Sequence, residues 1–136
     1  MCGAFVLSEA EIVDFAALYD PQPFHLDAEA AKATYFAGLC ASGLHTQAVA
    51  IGLMVRAIAD VAVIAGYSLD QARFFVPVRA GVRYAVTAAW VATQVSPKNN
   101  RRGRASIRGT AATAEGVAVM EFGVTYTVAR AACSGS

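Results

Sequence analysis

An acid and an imidazole, Asp20 and His25, stand five positions apart in the stretch D-P-Q-P-F-H. A carboxylate and an imidazole at that range can share one water and divide the proton work between them. Two prolines lie between them. Proline fixes its own φ near about −65° and has no N–H to donate. It also disfavours the α region for the residue before it. Asp20 and Gln22 each precede a proline, so both are expected to be extended and the segment stiff and short. Asp-Pro is equally a common turn starter. The local sequence therefore fits two readings: a helix stop, or a rigid holder for an acid and a base.

Other residues with chemical capacity have plainer roles. His45 falls near the start of a long apolar segment and is read as a core or supporting histidine. Arg56 and Asp60 are four apart in that segment and are expected to pair on one helix face. Cys40 reads as a small buried residue. Lys98, Arg101, Arg102 and Arg104 form a polar, basic turn, first read as a solvated hairpin tip. The three cysteines, Cys2, Cys40 and Cys133, are odd in number and widely spaced. They show no metal-ligand spacing, so no metal is expected. A reducing, cytoplasmic setting fits them best. The N-terminus lacks the basic and apolar regions of a secretory signal. A net charge of +1 gives no bulk electrostatic case for nucleic acid. The stretch from Gly43 to Gly66 is long enough to suggest a membrane span, but Arg56 and Asp60 interrupt it. It is read instead as a helix buried by protein.

The elements that must position these groups follow from the pattern. The chain has 136 residues, 57% of them hydrophobic, which is enough for one domain, 1–136, with its own core. Phe5-Val6-Leu7 reads as a first strand. Ser8 to Glu11 forms a capping box, with Ile12, Phe15, Ala16 and Tyr19 following at helical spacing. That helix must end near Tyr19. Asp27 caps a second helix over "AEAAKATYF", closed by Gly38. A connector of small residues, "LCASG", leads to a long helix from Gly43 or Leu44 to about Ala65. Strands then follow: "SLDQARFFVPV", closed by Pro77; "VRYAVTAAWVATQV", broken at Ser96-Pro97; "ASIRGTAATA"; and the stretch from Met120 to Val128, whose alternation is strict. Glu115-Gly116 marks a tight turn. The tail "ARAACSGS" is expected to fray.

Helices come first and strands last, with one helix apolar on nearly every face. Strands joined by short turns pair antiparallel. The class is α+β, with one antiparallel sheet wrapped around one long central helix, which is the hot-dog architecture in outline. Such a sheet leaves free edges, and a homodimer or a dimer of dimers is expected.

The order helix, D-x-x-P-x-H, helix, small-residue connector, buried helix, antiparallel strands resembles the MaoC-like hydratases, the (R)-specific enoyl-CoA hydratase group of the hot-dog superfamily. The resemblance is densest from Phe15 to Thr46, and "ARFFVPVRAG", Ala72 to Gly81, is similar to the family's strand and turn there. The family's acid, proline and histidine fall on Asp20, Pro23 and His25, and its glycine at the mouth of the central helix falls on Gly43. The chain departs from the family at three places. Gln22 stands where Asn is frequent, Ser42 where His is frequent, and Gly81-Val82 where Gly-Asp is usual.

The resemblance implies reversible hydration of a 2-enoyl thioester to an (R)-3-hydroxyacyl product, with Asp20 and His25 as the acid–base pair and no cofactor. The acyl group would ride on coenzyme A or a carrier protein. The backbone N–H of Gly43, at the helix start, would meet the thioester oxygen, because that end offers unsatisfied N–H groups and partial positive charge. Gln22, Phe24 and Ser42 would line the substrate, Ser42 either donating to it or capping the helix. Burial beside Phe24 would raise the Asp20 pKa. Arg101, Arg102 and Arg104 could meet the coenzyme phosphates. Two alternatives remain open at this point. A hot-dog thioesterase would place its carboxylate on the central helix, where Asp60 is the candidate. A non-catalytic acyl-binding or dimerisation module would tolerate changes at Asp20.

Overall fold

The computed structural model describes residues 1–96, 98 and 101–130. Pro97, Asn99 and Asn100 of the basic turn, and residues 131–136 of the tail with Cys133, lie outside the described residues. The elements are β1 (Gly3–Val6), α1 (Glu9–Tyr19), α2 (Pro23–Leu26), α3 (Ala28–Ala31), α4 (Gly43–Ala57), β2 (Val63–Phe74), β3 (Arg83–Val95), β4 (Arg102–Ala112) and β5 (Ala118–Ala129). The five strands form one sheet in the order β1-β3-β4-β5-β2, antiparallel at every step. α4 packs against β1, β3 and β4. This is the hot-dog fold expected from the sequence.

Alternation decides which face of the sheet meets the helix. Along β4, Gly103, Ala105, Ile107, Gly109 and Ala111 are buried in turn, as period-two geometry requires of a half-covered strand. Phe122 of β5 is fully buried beside them. A Cβ on Gly109 would come within 2.3 Å of its ring, so glycine is what lets the tip of that ring approach β4. Ala50 and Met54 of α4, Ile12 and Ala16 of α1, and Val86 of β3 complete the centre of the core.

α1 starts with the expected capping box, in which Glu11 N–H donates to Ser8 Oγ and Ser8 N–H to Glu11 Oε1. It ends at Tyr19, as the prolines demand. Beyond it, the expected extended segment is half right. Gln22 is extended at φ −98 and ψ 146. Pro23, however, opens a single helical turn that carries His25. A proline at N1 forfeits no helical hydrogen bond and already has the right φ.

Three elements differ from the sequence reading. The second helix is one turn, α3, followed by turns up to Gly38. Thr34 Oγ1 donates to the Ala31 carbonyl at 2.7 Å, and a side chain that bonds the backbone locally competes with helix continuation. α4 stops at Ala57, eight residues short of Ala65. The run from Val63 to Gly66 is strand. A continuous apolar run carries no period to separate helix from strand, and β-branched Val63 and Ile64 favour the strand. Asp60 consequently lies past the end of α4, so the helical geometry expected for its pairing with Arg56 does not arise. The carboxylate that a thioesterase would place on the central helix is not on it either. Third, β2 ends at Phe74, before Pro77.

Candidate active site

Asp20 sits where α1 ends, its N–H still donating to the Ala16 carbonyl at 2.9 Å. Both carboxylate oxygens have donors. Gln22 Nε2 donates to Oδ1 at 2.8 Å and Ser42 Oγ to Oδ2 at 2.7 Å. Ser42 is fully buried, and its Oγ also accepts from Leu44 N–H at 3.2 Å, which caps α4. The two roles weighed for Ser42 are thus helix capping, which holds, and donation, which goes to Asp20.

His25 is buried, with Nε2 3.4 Å from Asp20 Oδ2. Its Nδ1 lies 2.6 Å from the Cys40 carbonyl oxygen. A carbonyl only accepts, so Nδ1 carries a proton, and Nε2 is the ring nitrogen that faces Asp20. The ring edge of His25 meets Phe24 at a centroid distance of 4.4 Å. The small-residue connector is held as a strip of backbone. Cys40 N–H donates to the Phe24 carbonyl at 3.0 Å and Ala41 N–H to the Val78 carbonyl at 2.8 Å. Arg79 adds two more anchors through the Leu39 and Phe36 carbonyls. Small side chains at 40–42 let the strip pass this closely between α2 and the segment that follows β2.

These groups open on a cavity of about 490 Å³. Asp20, Phe24, His25 and Gly43 line it, and apolar walls come from Phe74, Val76, Val119 and Met120. Gly43 is the first residue of α4, where a helix leaves N–H groups without intrahelical acceptors. The site therefore holds a carboxylate, an imidazole of fixed tautomer, and a helix N-terminus at one apolar cleft.

The electrostatics correct one expectation. The Gln22 and Ser42 hydrogen bonds hold the Asp20 carboxyl below its usual pKa and outweigh burial, which acts in the opposite sense. The net direction is thus down, opposite to the rise expected from burial beside Phe24. Asp20 is a firm anion at neutral pH. His45 is a core histidine: it is buried and stacked on Phe15 at 4.4 Å and 9°. Burial pulls its pKa down against the partial opposition of Glu11. Cys40 is buried too, and burial pushes its thiol pKa up.

The structure brings Asp20, Gln22, Phe24, His25, Ser42 and Gly43 together. Arg101, Arg102 and Arg104 are not among the cavity residues. Gly103 pairs with Val128, whereas cavity-lining Met120 pairs with Ala111. The basic turn is thus eight residues away along β5, about 26 Å at the usual strand rise. Arg104 stacks over the Tyr67 ring at 3.7 Å. The sequence reading missed the Cys40 carbonyl and Arg79, because a backbone contact leaves no mark in residue type. It also missed Phe74 as a wall, although "ARFF" was singled out as a strand. Among the described residues, no group of three or more His, Cys, Asp or Glu could hold a metal ion, and no helix is long and apolar enough to cross a membrane.

A model of the MaoC like domain matches residues 4–117. The chain is similar to the MaoC-like dehydratase of Rhodospirillum rubrum, at 30% identity over 95% of this chain and 88% of that one, with a TM-score of 0.85. It is similar also to a structure described as a monoamine oxidase regulatory protein from Archaeoglobus fulgius, at 26% identity over 96% and 88%, TM-score 0.86. The (R)-hydratase from A. caviae involved in PHA biosynthesis shares the fold at 20% identity over 90% and 89%, TM-score 0.73. No curated protein matches the sequence.

Proposed function

The chain belongs to the MaoC-like dehydratase domain family, and we propose that it adds water reversibly to a 2-enoyl thioester to give the (R)-3-hydroxyacyl thioester. The observation that carries this reading is the Asp20–His25 pair, with its imidazole tautomer set by Cys40, facing an apolar cleft beside the start of α4. The acyl carrier is coenzyme A in this reading, and no cofactor takes part.

A water on the cavity side, hydrogen-bonded to both Asp20 Oδ2 and His25 Nε2, is oriented by the anion and loses a proton to Nε2. Its oxygen bonds the β-carbon of the substrate, and the π electrons move onto the α-carbon and the thioester oxygen. The imidazolium formed is stabilised by the carboxylate on one side and the Cys40 carbonyl on the other. It returns its proton to the α-carbon, so water adds across the double bond and the enzyme is regenerated. The Gly43 N–H takes the charge that builds on the thioester oxygen. One donor of this kind is worth on the order of 3 kcal/mol. Dehydration runs the same steps backward.

The functional unit in this reading is a homodimer. β2 is an edge strand with exposed Val63, Ile64, Tyr67 and Leu69, and such an edge invites pairing with a second copy. Sedimentation is expected to give a dimer or a multiple of it. The reaction itself is tested with a panel of enoyl- and 3-hydroxyacyl-CoA thioesters, followed at the enoyl absorbance band. Loss of the band on water addition supports hydration. Release of free thiol instead would identify a thioesterase.

A further inference from the structure

Phe74 lines the cleft next to Gly43 and is itself 54% exposed. A Cβ built on Gly43 would lie 2.7, 2.7 and 3.0 Å from three atoms of the Phe74 ring. The ring is therefore packed on the Gly43 backbone itself, at the start of α4. The backbone that carries the ring is held by the sheet, since Phe74 pairs with Met120 of β5 and Phe75 N–H donates to the Val119 carbonyl at 2.8 Å. The next two residues, Phe75 and Val76, continue the cavity wall.

A thioester oxygen that accepts from Gly43 N–H sits about 2.9 Å from that nitrogen. The sulfur and the α-carbon are each two bonds from this oxygen, so both fall within reach of a ring that touches Gly43. A flat enoyl thioester with hydrogen at the α-carbon can sit with that edge against the tip of the ring. A methyl group there projects from the same edge, in the enoyl plane, and has to displace the ring. Resting on the hydratase reading above, we infer that Phe74 is a specificity-determining residue whose ring restricts the site to thioesters that carry only hydrogen at the α-carbon. A single methyl in an apolar pocket is worth about 10- to 200-fold in discrimination, and the wall works in that range.

The test compares but-2-enoyl-CoA with 2-methylbut-2-enoyl-CoA in the wild type and in Phe74→Ala. The wild type is expected to favour the unbranched substrate by at least about tenfold in kcat/KM. Phe74→Ala is expected to shrink that ratio severalfold, read as the ratio and independent of any change in the unbranched rate itself. A wild-type ratio near one, or a ratio unchanged in the variant, overturns the inference. So does a variant that loses both substrates equally. The saturated pair butyryl-CoA and 2-methylbutyryl-CoA, compared by Kd, reads the same wall without turnover. A Phe74-dependent Kd ratio in a protein that hydrates neither enoyl thioester would keep this inference and sink the hydratase reading. A Phe74-independent ratio in an active enzyme would do the reverse. The contact has its own readout: Gly43→Ala is expected to lower the melting temperature, and adding Phe74→Ala to recover part of the loss. No recovery would mean that the ring does not pack on Gly43.

Discussion

Replacing Ser42 by Ala removes two hydrogen bonds at once, and they respond differently to pH. The Ser42 hydroxyl caps α4 through Leu44 N–H and donates to Asp20 Oδ2. Loss of a serine N-cap costs about 1 kcal/mol. A hydrogen bond to a charged group contributes about 1.5–3 kcal/mol. Asp20 keeps its Gln22 donor, so the carboxylate is not stranded, and the total expected at pH 7 is about 2.5–4 kcal/mol. Because the Asp20 pKa is depressed in the folded protein, its contribution is present above the unfolded value of about 3.9 and is lost as pH falls through the folded value. The cap does not titrate. The stability gap between wild type and Ser42→Ala should thus be widest near neutrality and narrow to the capping part, about 1 kcal/mol, in acid. The acid limb of the kcat profile should move upward in pH, since Asp20 is protonated more readily with one donor gone. Urea unfolding across a pH series and the rate profile give both quantities. A gap constant from pH 7 into acid, with an unmoved acid limb, would refute the claim that Ser42 holds the Asp20 anion.

Gly109→Ala forces a Cβ into the Phe122 ring and should destabilise by about 1–3 kcal/mol, the usual range for overpacking, read as a lower urea midpoint with unchanged slope. Changing Arg101, Arg102 and Arg104 to Ala should leave KM within about twofold at moderate salt, because the turn is far along β5 from the cleft. A large rise in KM with a flattened salt dependence would instead place the coenzyme phosphates at that turn.

Much of the site was readable because its groups are tied to local rules. The prolines fix where α1 ends, which puts Asp20 at a helix terminus, although the segment expected to be extended turns helical at Pro23 and so carries His25. Ser42 before Gly43 reads as a cap from its residue type alone. The order of helices and antiparallel strands settled the fold. What the sequence hid depends on tertiary partners. α4 was read too long because an apolar run has no period of its own. The Asp20 pKa was read with the wrong sign because its donors, Gln22 and Ser42, lie on different segments, one of them twenty-two residues away. The His25 tautomer depends on a carbonyl that any residue at position 40 would supply. The ring over Gly43 comes from a strand thirty-one residues later, and residue type alone does not bring the two together.

The central claim is that Asp20 and His25 act on one water as a unit, and kcat in a double-mutant cycle tests it most directly. Asp20→Asn keeps the shape and removes the anion. His25→Gln keeps some hydrogen bonding and removes the titrating nitrogen. Each alone should lower kcat for enoyl thioester hydration by at least about 10²-fold, the low end for a positioned acid or base. The double variant should be little worse than the poorer single one, since groups that act as a unit are strongly non-additive. Circular dichroism confirms that each variant folds. A folded Asp20→Asn protein with near wild-type kcat, or two losses that simply multiply, would contradict the account.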